Sequence, residues 1–480
     1  MAPPSFVGLL GPPEVHISLP SAVPSTYPVA VSPPSTGDRF LDLMDATYNS
    51  DADRRLPHMG LTENLSPTFL SSGDPHLDFF FQVVPSTPAE TLTALLSAAW
   101  DKDPLTALKL VLHLRGVRGT GKSDREGFYS AALWLHLYHP KTLALNLPSI
   151  AEFGYFKDLP EILHRLIDGP ETRKLAAAGH RRRLKSGSRI TKSKKNFTRE
   201  ERIAAEIARI KLEIETAAVR RRQKRNRMAS RAVDRYTHDP DYRLLHDHVS
   251  DHFAAMLAAD LSHLAAGEHS KISLAAKWCP SLNSCFDRST LLCEGIARRL
   301  FPRGSDPELA AAAEPHYAYR IRDRLRRDVL VPLRRVLEIP EVYMSAGKWD
   351  SLPYSRVPSV AMKNYKKIFA KHDNERFREF VERVKQGKAK IAAGALLPHE
   401  IMASANEGKE DLVAELQWRR MVEDLSAKGR LRNCIAVCDV SGSMNGTPLE
   451  VCIALGILVS ELSEEPWKES DHFLRKSRTA

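Results

Sequence analysis

Apolar residues recur at helical spacing over two long stretches of the chain, residues 87–167 and 240–428. Several of these runs follow a residue pair that commonly begins a helix, such as Thr87-Pro88 or Asp103-Pro104. No convincing strand alternation precedes residue 433. The pattern therefore predicts a mainly α fold, with an α-solenoid-like body of stacked helical pairs. The first predicted helices are Pro88–Trp100, Pro104–Leu114 and Arg125–Tyr138.

The pattern changes at residue 433, where an apolar run with β-branched residues predicts a strand that ends in Asp439. Ser441 and Ser443 follow at alternate positions, and residues two apart in extended backbone point the same way. Asp439, Ser441 and Ser443 can therefore offer three oxygens to one hard cation, Mg²⁺ or Mn²⁺. A serine-rich turn without a metal would fit the same residues.

A further helix is predicted after this loop, capped by Thr447, with Glu450 three residues later as in a capping box, and running to Leu462. Its residues are apolar almost all round, which is typical of a covered helix. The tail beyond Trp467 is polar, and we expect no second strand there. Because a doubly wound domain needs about 100 to 200 residues, we expect a truncated strand-loop-helix unit, with metal binding weak or absent.

The amino-acid composition indicates an N-terminal leader segment and the cellular compartment of the protein. The first 37 residues contain nine of the 31 prolines and neither Lys nor Arg, which is typical of a disordered segment. Six cysteines without a secretory signal indicate reduced thiols in the cytoplasm or nucleus. No apolar run reaches the roughly 20 residues of a membrane span. The predicted segments are a leader (1–74), a helical body (75–167 and 240–430) around a basic insertion (168–239), the truncated unit (431–468) and a divergent tail (469–480).

Positive charge is concentrated in one part of the chain. The formal net charge is +11, and residues 181–235 hold 20 Lys or Arg against six Asp or Glu, a surplus of 14. The rest of the chain is therefore near 11 − 14 = −3. Three basic clusters make up most of the surplus: Arg181, Arg182 and Arg183; Lys192 to Lys195; and Arg220, Arg221, Arg222, Lys224, Arg225 and Arg227.

Between these clusters an apolar stripe predicts a long amphipathic helix with a cationic end. The stripe is Ile203, Ile207, Ile210, Ile214 and Ala217, at steps of four, three, four and three. Such a basic end can bind phosphate backbones through counterion release, so RNA or an acidic protein is the expected partner. The same run would also fit a solvated insertion without a dedicated partner.

One motif points to a different function. Gly116 to Ser123 matches the Walker A pattern Gly-x-x-x-x-Gly-Lys-Ser, in which Lys122 would contact nucleotide phosphates. A P-loop requires a strand before the motif. The preceding residues, Asp103 to Leu114, fit a capped helix better, so the glycines are predicted to form an interhelical turn. An NTPase using Lys122 is the alternative.

Several blocks together resemble a plant family of uncharacterised proteins that carries domain of unknown function 2828 and a C-terminal von Willebrand A (vWA)-like domain. The matching blocks lie between about residue 75 and Lys468: Asp103 to Lys109, Arg115 to Ser123, Ala275 to Pro280, Lys348 to Tyr354, Ala392 to Glu400 and the Asp439 loop. In vWA domains an Asp-x-Ser-x-Ser loop holds the adhesion metal, so the resemblance implies that role for Asp439, Ser441 and Ser443.

More distantly, the layout is similar to the TROVE-domain Ro proteins, in which a ring of helical repeats is closed by a vWA domain and binds structured RNA. Arg115-x-x-Arg118-Gly-x-Gly-Lys122 resembles an interhelical turn of that group. The resemblance implies no catalysis. The sequence therefore predicts a non-enzymatic protein that binds RNA, or a protein-interaction scaffold that does not touch nucleic acid.

Overall fold

The computed structural model describes residues 59–63, 67–117, 121–185, 198–406, 411–440, 444, 446–467 and 471–474. The chain divides into two compact units, Met1–Val331 and Pro332–Ala480. Helices dominate the described part of both units, which confirms the predicted mainly α body. The division falls inside residues 240–430, which the sequence predicts to be one part of the body.

The first unit opens with two short strands, β1 (Met59–Leu61) and β2 (Pro67–Phe69), which pair antiparallel. The structure differs here from the expected disordered leader over 1–74, whose residues 1–58 lie outside the described part. Three-residue strands contain too little alternation to be recognised in the sequence. Just after β2, the carbonyl oxygen of Leu70 accepts a 3.1 Å hydrogen bond from Gln82 Nε2.

The helices of the first unit follow in close succession. They are α1 (Pro75–Gln82), α2 (Ala89–Lys102), α3 (Pro104–Arg115), α4 (Arg125–Tyr138), α5 (Pro140–Leu145), α6 (Leu147–Phe153), α7 (Asp158–Asp168), α8 (Thr172–Lys185), α9 (Arg199–His238), α10 (Pro240–Ala265), α11 (Ala275–Trp278), α12 (Cys285–Thr290), α13 (Leu292–Leu300), α14 (Pro307–Ala310) and α15 (Glu314–Arg324), with 3₁₀ turns at His269–Lys271 and Arg303–Ser305 and a π-helical stretch at Leu325–Leu330.

Caps account for where α3 and α4 begin. The Asp103 carboxylate accepts hydrogen bonds from the amides of Leu105 (3.2 Å) and Thr106 (3.1 Å), and Asp124 accepts one from Gly127 (3.0 Å). The three helices predicted from the sequence are confirmed, with ends that shift by at most two residues. This is the usual uncertainty of helix boundaries.

Packing between helices, more than helix propensity, stabilises the first unit. Consecutive helices lie against one another, α1 on α2, α2 on α3 and α3 on α4, while α10 packs back onto α5 and α7. Large side chains such as Phe128, Tyr242 and Phe253 are fully buried between them. Each buried side chain of this size contributes about 1.5–3 kcal/mol, whereas short helices are marginal alone.

The second unit combines helices with one pair of strands. Its elements are α16 (Val331–Val336, beginning at the boundary), α17 (Pro340–Ser345), α18 (Ser359–His372), α19 (Asn374–Lys385), α20 (Pro398–Asn406), α21 (Leu412–Ser426), β3 (Ala436–Asp439), α22 (Thr447–Leu462) and β4 (Asp471–Leu474), with 3₁₀ turns at Trp349–Ser351 and Tyr354–Arg356. Tyr354, Phe369, Phe377 and Phe380 form the aromatic centre of its core.

Strands β3 and β4 are parallel and are connected through α22, with Ala436 opposite Asp471 and Asp439 opposite Leu474. This corrects the expectation that the tail beyond Trp467 has no second strand. Parallel pairing joins residues far apart in sequence, so local periodicity in the polar tail does not reveal it. Among the described residues this sheet has two strands, and the wider sheet of a vWA-like domain is not seen.

Helix α22 begins one residue earlier than predicted. Gly446, with φ +89°, is its N-cap, and Thr447 is its first residue, so the capping box at Thr447 is not formed. Helices α20 and α21 pack against α22, and Trp418 Nε1 donates a 2.8 Å hydrogen bond to Glu461. A Cβ at Gly456 would lie 2.3 Å from Cys438 Sγ, so this glycine allows α22 to approach β3 closely.

Candidate functional site

The most strongly charged surface is formed by α9, a single 40-residue helix whose last turns are fixed to the body of the first unit. Ala232 is buried, and Arg231 donates to Asp168 at 2.9 Å and to the carbonyl oxygen of Ile167. Tyr236 adds a 2.9 Å hydrogen bond to Asp247 of α10. These contacts hold the C-terminal end of α9, so the preceding turns have a rigid base.

The basic residues that precede this base are all exposed. They are Arg220, Arg221, Arg222, Lys224, Arg225 and Arg227, called here the basic segment. No carboxylate among the described residues forms an ion pair with any of the six, although Arg221 Nε donates to the carbonyl oxygen of Ala217. By contrast Arg209, further towards the start of the helix, pairs with both Glu206 and Glu213. The charge of the basic segment is therefore available to a partner.

The other predicted basic residues are not brought together with this segment by the described contacts. Arg181 is exposed near the end of α8. Arg182 and Arg183 belong to the same helix, but their side chains lie outside the described residues, as does the Lys192 to Lys195 cluster. The sequence prediction of a cationic helix end holds for α9, and the contribution of the first two clusters stays a prediction.

The expected metal loop is described in part. Asp439 is exposed at the carboxyl end of β3, whereas Ser441 and Ser443 lie outside the described residues. Within the described part, no group of three or more His, Cys, Asp or Glu side chains could hold a metal ion. Asp439 does stand at the carboxyl end of a parallel strand pair followed by a helix, the edge at which open α/β sheets bind ligands.

The Gly116 to Ser123 segment does not have the geometry of a P-loop, because helix α3 precedes it where a strand would be needed. Its backbone amides are used internally: Val117 donates to Phe153 O (3.1 Å), Lys122 to His113 O (3.0 Å) and Asp124 to Leu114 O (2.8 Å). Arg118 to Thr120 lie outside the described residues. This supports the predicted interhelical turn.

Lys122 has structural partners on a neighbouring helix. Its Nζ donates to the carbonyl oxygens of Phe80 and, at 2.6 Å, Val83, where α1 ends, and it lies 4.9 Å from the centre of the Phe80 ring. Burial lowers the pKa of Lys122. The side chain that would bind phosphate in a P-loop is therefore occupied with capping α1.

The structure contains a buried ionic network that was not predicted from the sequence. Arg115 donates to Asp158 through Nε (2.8 Å) and Nη2 (3.2 Å), and both side chains are almost fully enclosed. Asp158 also accepts from the Tyr129 hydroxyl (2.6 Å) and the Tyr155 amide (2.9 Å). A second buried arginine, Arg165, pairs with Glu161 and Glu126. The signal in the sequence was the charge density of α7; apart from the Arg165–Glu161 pair within that helix, the partners lie elsewhere in the unit.

A cleft of about 810 Å³ in the second unit was also not predicted. It lies against α18, α19 and α21, and its polar part is Lys366, whose Nζ is 2.5 Å from Ser404 Oγ and forms an ion pair with Asp411. The apolar part includes Phe377, Val381 and Val413. Because Asp411 neutralises Lys366, the cleft presents no excess charge of one sign at its base.

No helix in the described part of the chain is both long and apolar enough to cross a membrane.

Comparison with known proteins places this architecture in a family. The model of domain of unknown function DUF2828 matches residues 62–431, more than three quarters of the chain. The chain belongs to the DUF2828 family. A second domain of unknown function, DUF7788, matches residues 433–475. This second match extends beyond Lys468, the residue at which the family resemblance was expected to end, and it includes the residues of β4.

A relative of this DUF2828 protein is the uncharacterized protein L728 of Acanthamoeba polyphaga mimivirus. The two are 24% identical over 429 residues, which are 86% of this chain and 61% of the viral protein. The chain thus spans about three fifths of the length of that relative. No solved structure matches the chain.

Proposed function

We propose that this DUF2828 protein is a non-enzymatic binding protein that engages RNA through the basic segment of α9, in the cytoplasm or nucleus. The observation that carries the proposal is the exposed, unneutralised charge of Arg220 to Arg227 on a helix whose base is fixed. No acidic residue lies between Thr216 and Val233. Such a surface attracts a polyanion mainly through release of counterions.

The arrangement of the charges supports a phosphate backbone as the partner. Arg220, Lys224 and Arg227 are four and three residues apart, so they lie in one row along the helix, about 10 Å long at 1.5 Å per residue. Arg221 and Arg225 form a second row beside it. Two neighbouring rows of cations can follow a strand of phosphates, whereas no described aromatic side chain interrupts the segment to stack on bases.

The resemblance to TROVE-domain proteins supports RNA over other polyanions, since those proteins combine a helical body with a vWA domain and bind structured RNA. In the same proposal the strand, loop and helix from Ala436 to Leu462 are the vWA-like part. Asp439, Ser441 and Ser443 would bind Mg²⁺ or Mn²⁺ weakly there. The position of Asp439 at the carboxyl end of a parallel strand supports this second site.

RNA binding can be tested with two variants that remove the same charge from different places. The test variant carries Arg220→Gln, Lys224→Gln and Arg227→Gln, and the control carries Lys371→Gln, Lys385→Gln and Lys388→Gln, which are exposed lysines of the second unit. Binding of a structured RNA to the full chain is measured by fluorescence anisotropy over a range of salt concentrations. The logarithmic salt slope of the test variant should fall by about two to three, because each phosphate contact contributes about 0.7–0.9.

The control variant should keep the salt slope of the unmodified chain. Equal weakening by both variants would mean that only total charge matters, which contradicts a dedicated site. If the unmodified chain shows no salt-dependent RNA binding, the proposal fails and the protein-interaction scaffold, which uses α9 to bind an acidic protein, takes its place.

A further inference from the structure

The part of α9 that precedes the basic segment presents an apolar stripe to solvent. Ile203, Ile207, Ile210 and Ile214 are 51%, 49%, 44% and 60% exposed. Ala217, at the end of the stripe, is half-buried. Four exposed isoleucines in line are unusual for a helix that belongs to a folded unit, because such residues are normally covered.

The spacing of the stripe indicates what covers it. Steps of four, three, four and three give a mean period of 3.5 residues, the heptad period of a coiled coil, in which alternate core positions face a second helix. Over two heptads an undistorted helix drifts from this period by only about 40°, so the whole stripe stays on one face of α9. We propose that residues 203–217 pack against the same residues of other copies of this chain, in a parallel coiled coil. Isoleucine at both kinds of core position favours three strands over two.

The charges that flank the stripe select the parallel orientation. Glu206 precedes the core position Ile207, and Lys211 follows the core position Ile210, so they lie on opposite sides of the stripe. In a parallel pair, Glu206 of each copy faces Lys211 of the other, which gives two attractive contacts. In an antiparallel pair centred on Ile210, Lys211 faces Lys211 and Glu206 faces Glu213, which places like charges together.

The limits of the stripe define the length of the interface. Charges occupy the core positions on either side of the stripe, Glu200 before Ile203 and Arg221 after Ala217. The packed base of α9 begins near Met228, 11 residues beyond Ala217, or about 16 Å along the helix, which leaves space between the seam and the body of each copy. Two heptads form a short seam, so we expect the assembly to dissociate on dilution. The pairing does not depend on RNA binding.

The helix itself supplies a matched pair of variants. Ile214 and Leu212 are equally exposed, at 60% and 62%, but Leu212 lies on the face opposite the stripe. We expect sedimentation velocity of the full chain to show a concentration-dependent dimer or trimer. Ile214→Glu should raise the dissociation constant about tenfold or more, because it places a charge in the seam. Leu212→Glu should leave the dissociation constant within about twofold.

Orientation is tested by charge exchange. Lys211→Glu and Glu206→Lys should each weaken the assembly, since each places like charges together at every contact between neighbouring copies. An equimolar mixture of the two variants should strengthen it again. Where the two variants meet, one chain is acidic at both positions 206 and 211 and the other is basic at both, so each flanking contact between them joins opposite charges.

Three results would overturn the proposal: a chain that stays monomeric at every concentration, equal damage from Leu212→Glu and Ile214→Glu, or a mixture that assembles no better than either variant alone. A trimer with the same sensitivity to Ile214→Glu would support the proposal, because isoleucine at both kinds of core position favours three strands.

Discussion

Replacing Asp158 with alanine should destabilise the first unit by about 3–5 kcal/mol, the usual cost of removing one partner of a buried ion pair. The structure explains the size of the effect. Arg115 and Asp158 are 7% and 1% exposed, so the guanidinium left behind could not be solvated. The hydroxyl of Tyr129 and the amide of Tyr155 would also lose their acceptor.

Unfolding is best followed by thermal denaturation together with hydrogen exchange, because the chain has two units and a single transition cannot be assumed. The melting temperature of the first unit should fall by about 10 °C. Exchange should accelerate in peptides from α3, α4 and α7, while peptides from α18 and α19 in the second unit serve as an internal reference. The matched control within the first unit is Glu171→Ala, which removes an exposed ion pair with Lys174 at 3.1 Å and should cost less than about 0.5 kcal/mol.

The double variant Arg115→Met, Asp158→Leu distinguishes an unpaired charge from lost packing. It removes both charges and keeps apolar volume, so the part of the loss caused by the unpaired Arg115 should return, whereas the cost of the unpaired Tyr129 hydroxyl and Tyr155 amide should remain. A loss below about 1 kcal/mol in Asp158→Ala would refute the reasoning. So would a double variant that is as unstable as the single one, since the cost would then come from the cavity and the two donors left without an acceptor, and not from Arg115.

Three further predictions follow from other contacts. Burial lowers the pKa of His246 to about 4, below the pKa near 6.5 of the unfolded chain. Stability is therefore complete above pH 6.5 and falls as the pH falls, by about 2 kcal/mol at pH 5. Urea unfolding measured at several pH values should show a shallower pH dependence in His246→Gln, whose side chain can still donate to Thr290 O. Gly456→Ala should cost about 1–3 kcal/mol through its clash with Cys438 Sγ, whereas Gly394→Ala, with open space at its Cβ, should be neutral in the same melting experiment. Lys122→Met should speed hydrogen exchange at the end of α1, because the carbonyl oxygen of Val83 loses its donor. The unmodified chain should show no binding of Mg²⁺-ATP in calorimetry. Tight nucleotide binding would restore the NTPase alternative.

The elements that the sequence predicted well are those specified by neighbouring residues. Helix α3 could be placed from Asp103-Pro104 because the cap and the proline act within one turn of the helix start. The same cap and proline place a helix before Gly116 to Ser123, which is why this segment could be predicted as a turn. The cationic end of α9 was predictable for a similar reason, since charge density along one helix is a property of consecutive residues.

The features that the sequence did not reveal depend on distant residues. Arg115 and Asp158 are 43 positions apart, and nothing in either neighbourhood shows that they meet. Strand β4 pairs with a strand more than 30 residues earlier, within a tail whose composition is polar. The N-cap of α22 is Gly446 and not the predicted Thr447. The backbone of Gly446, with φ +89°, ends the loop one residue earlier than a threonine cap would.

The distribution of ion pairs separates stability from binding in the first unit. Buried arginines such as Arg115 and Arg165 are each matched by a carboxylate, because an unpaired charge inside the core would cost several kcal/mol. The basic segment of α9 lacks such carboxylates although acidic residues flank it, at Glu213 and Glu215 on one side and Asp234 on the other. Exposed arginines without partners add little to folding. Variants of Arg220 to Arg227 should therefore weaken RNA binding while leaving the melting temperature unchanged. Such a result would show that these residues of α9 serve binding and not stability.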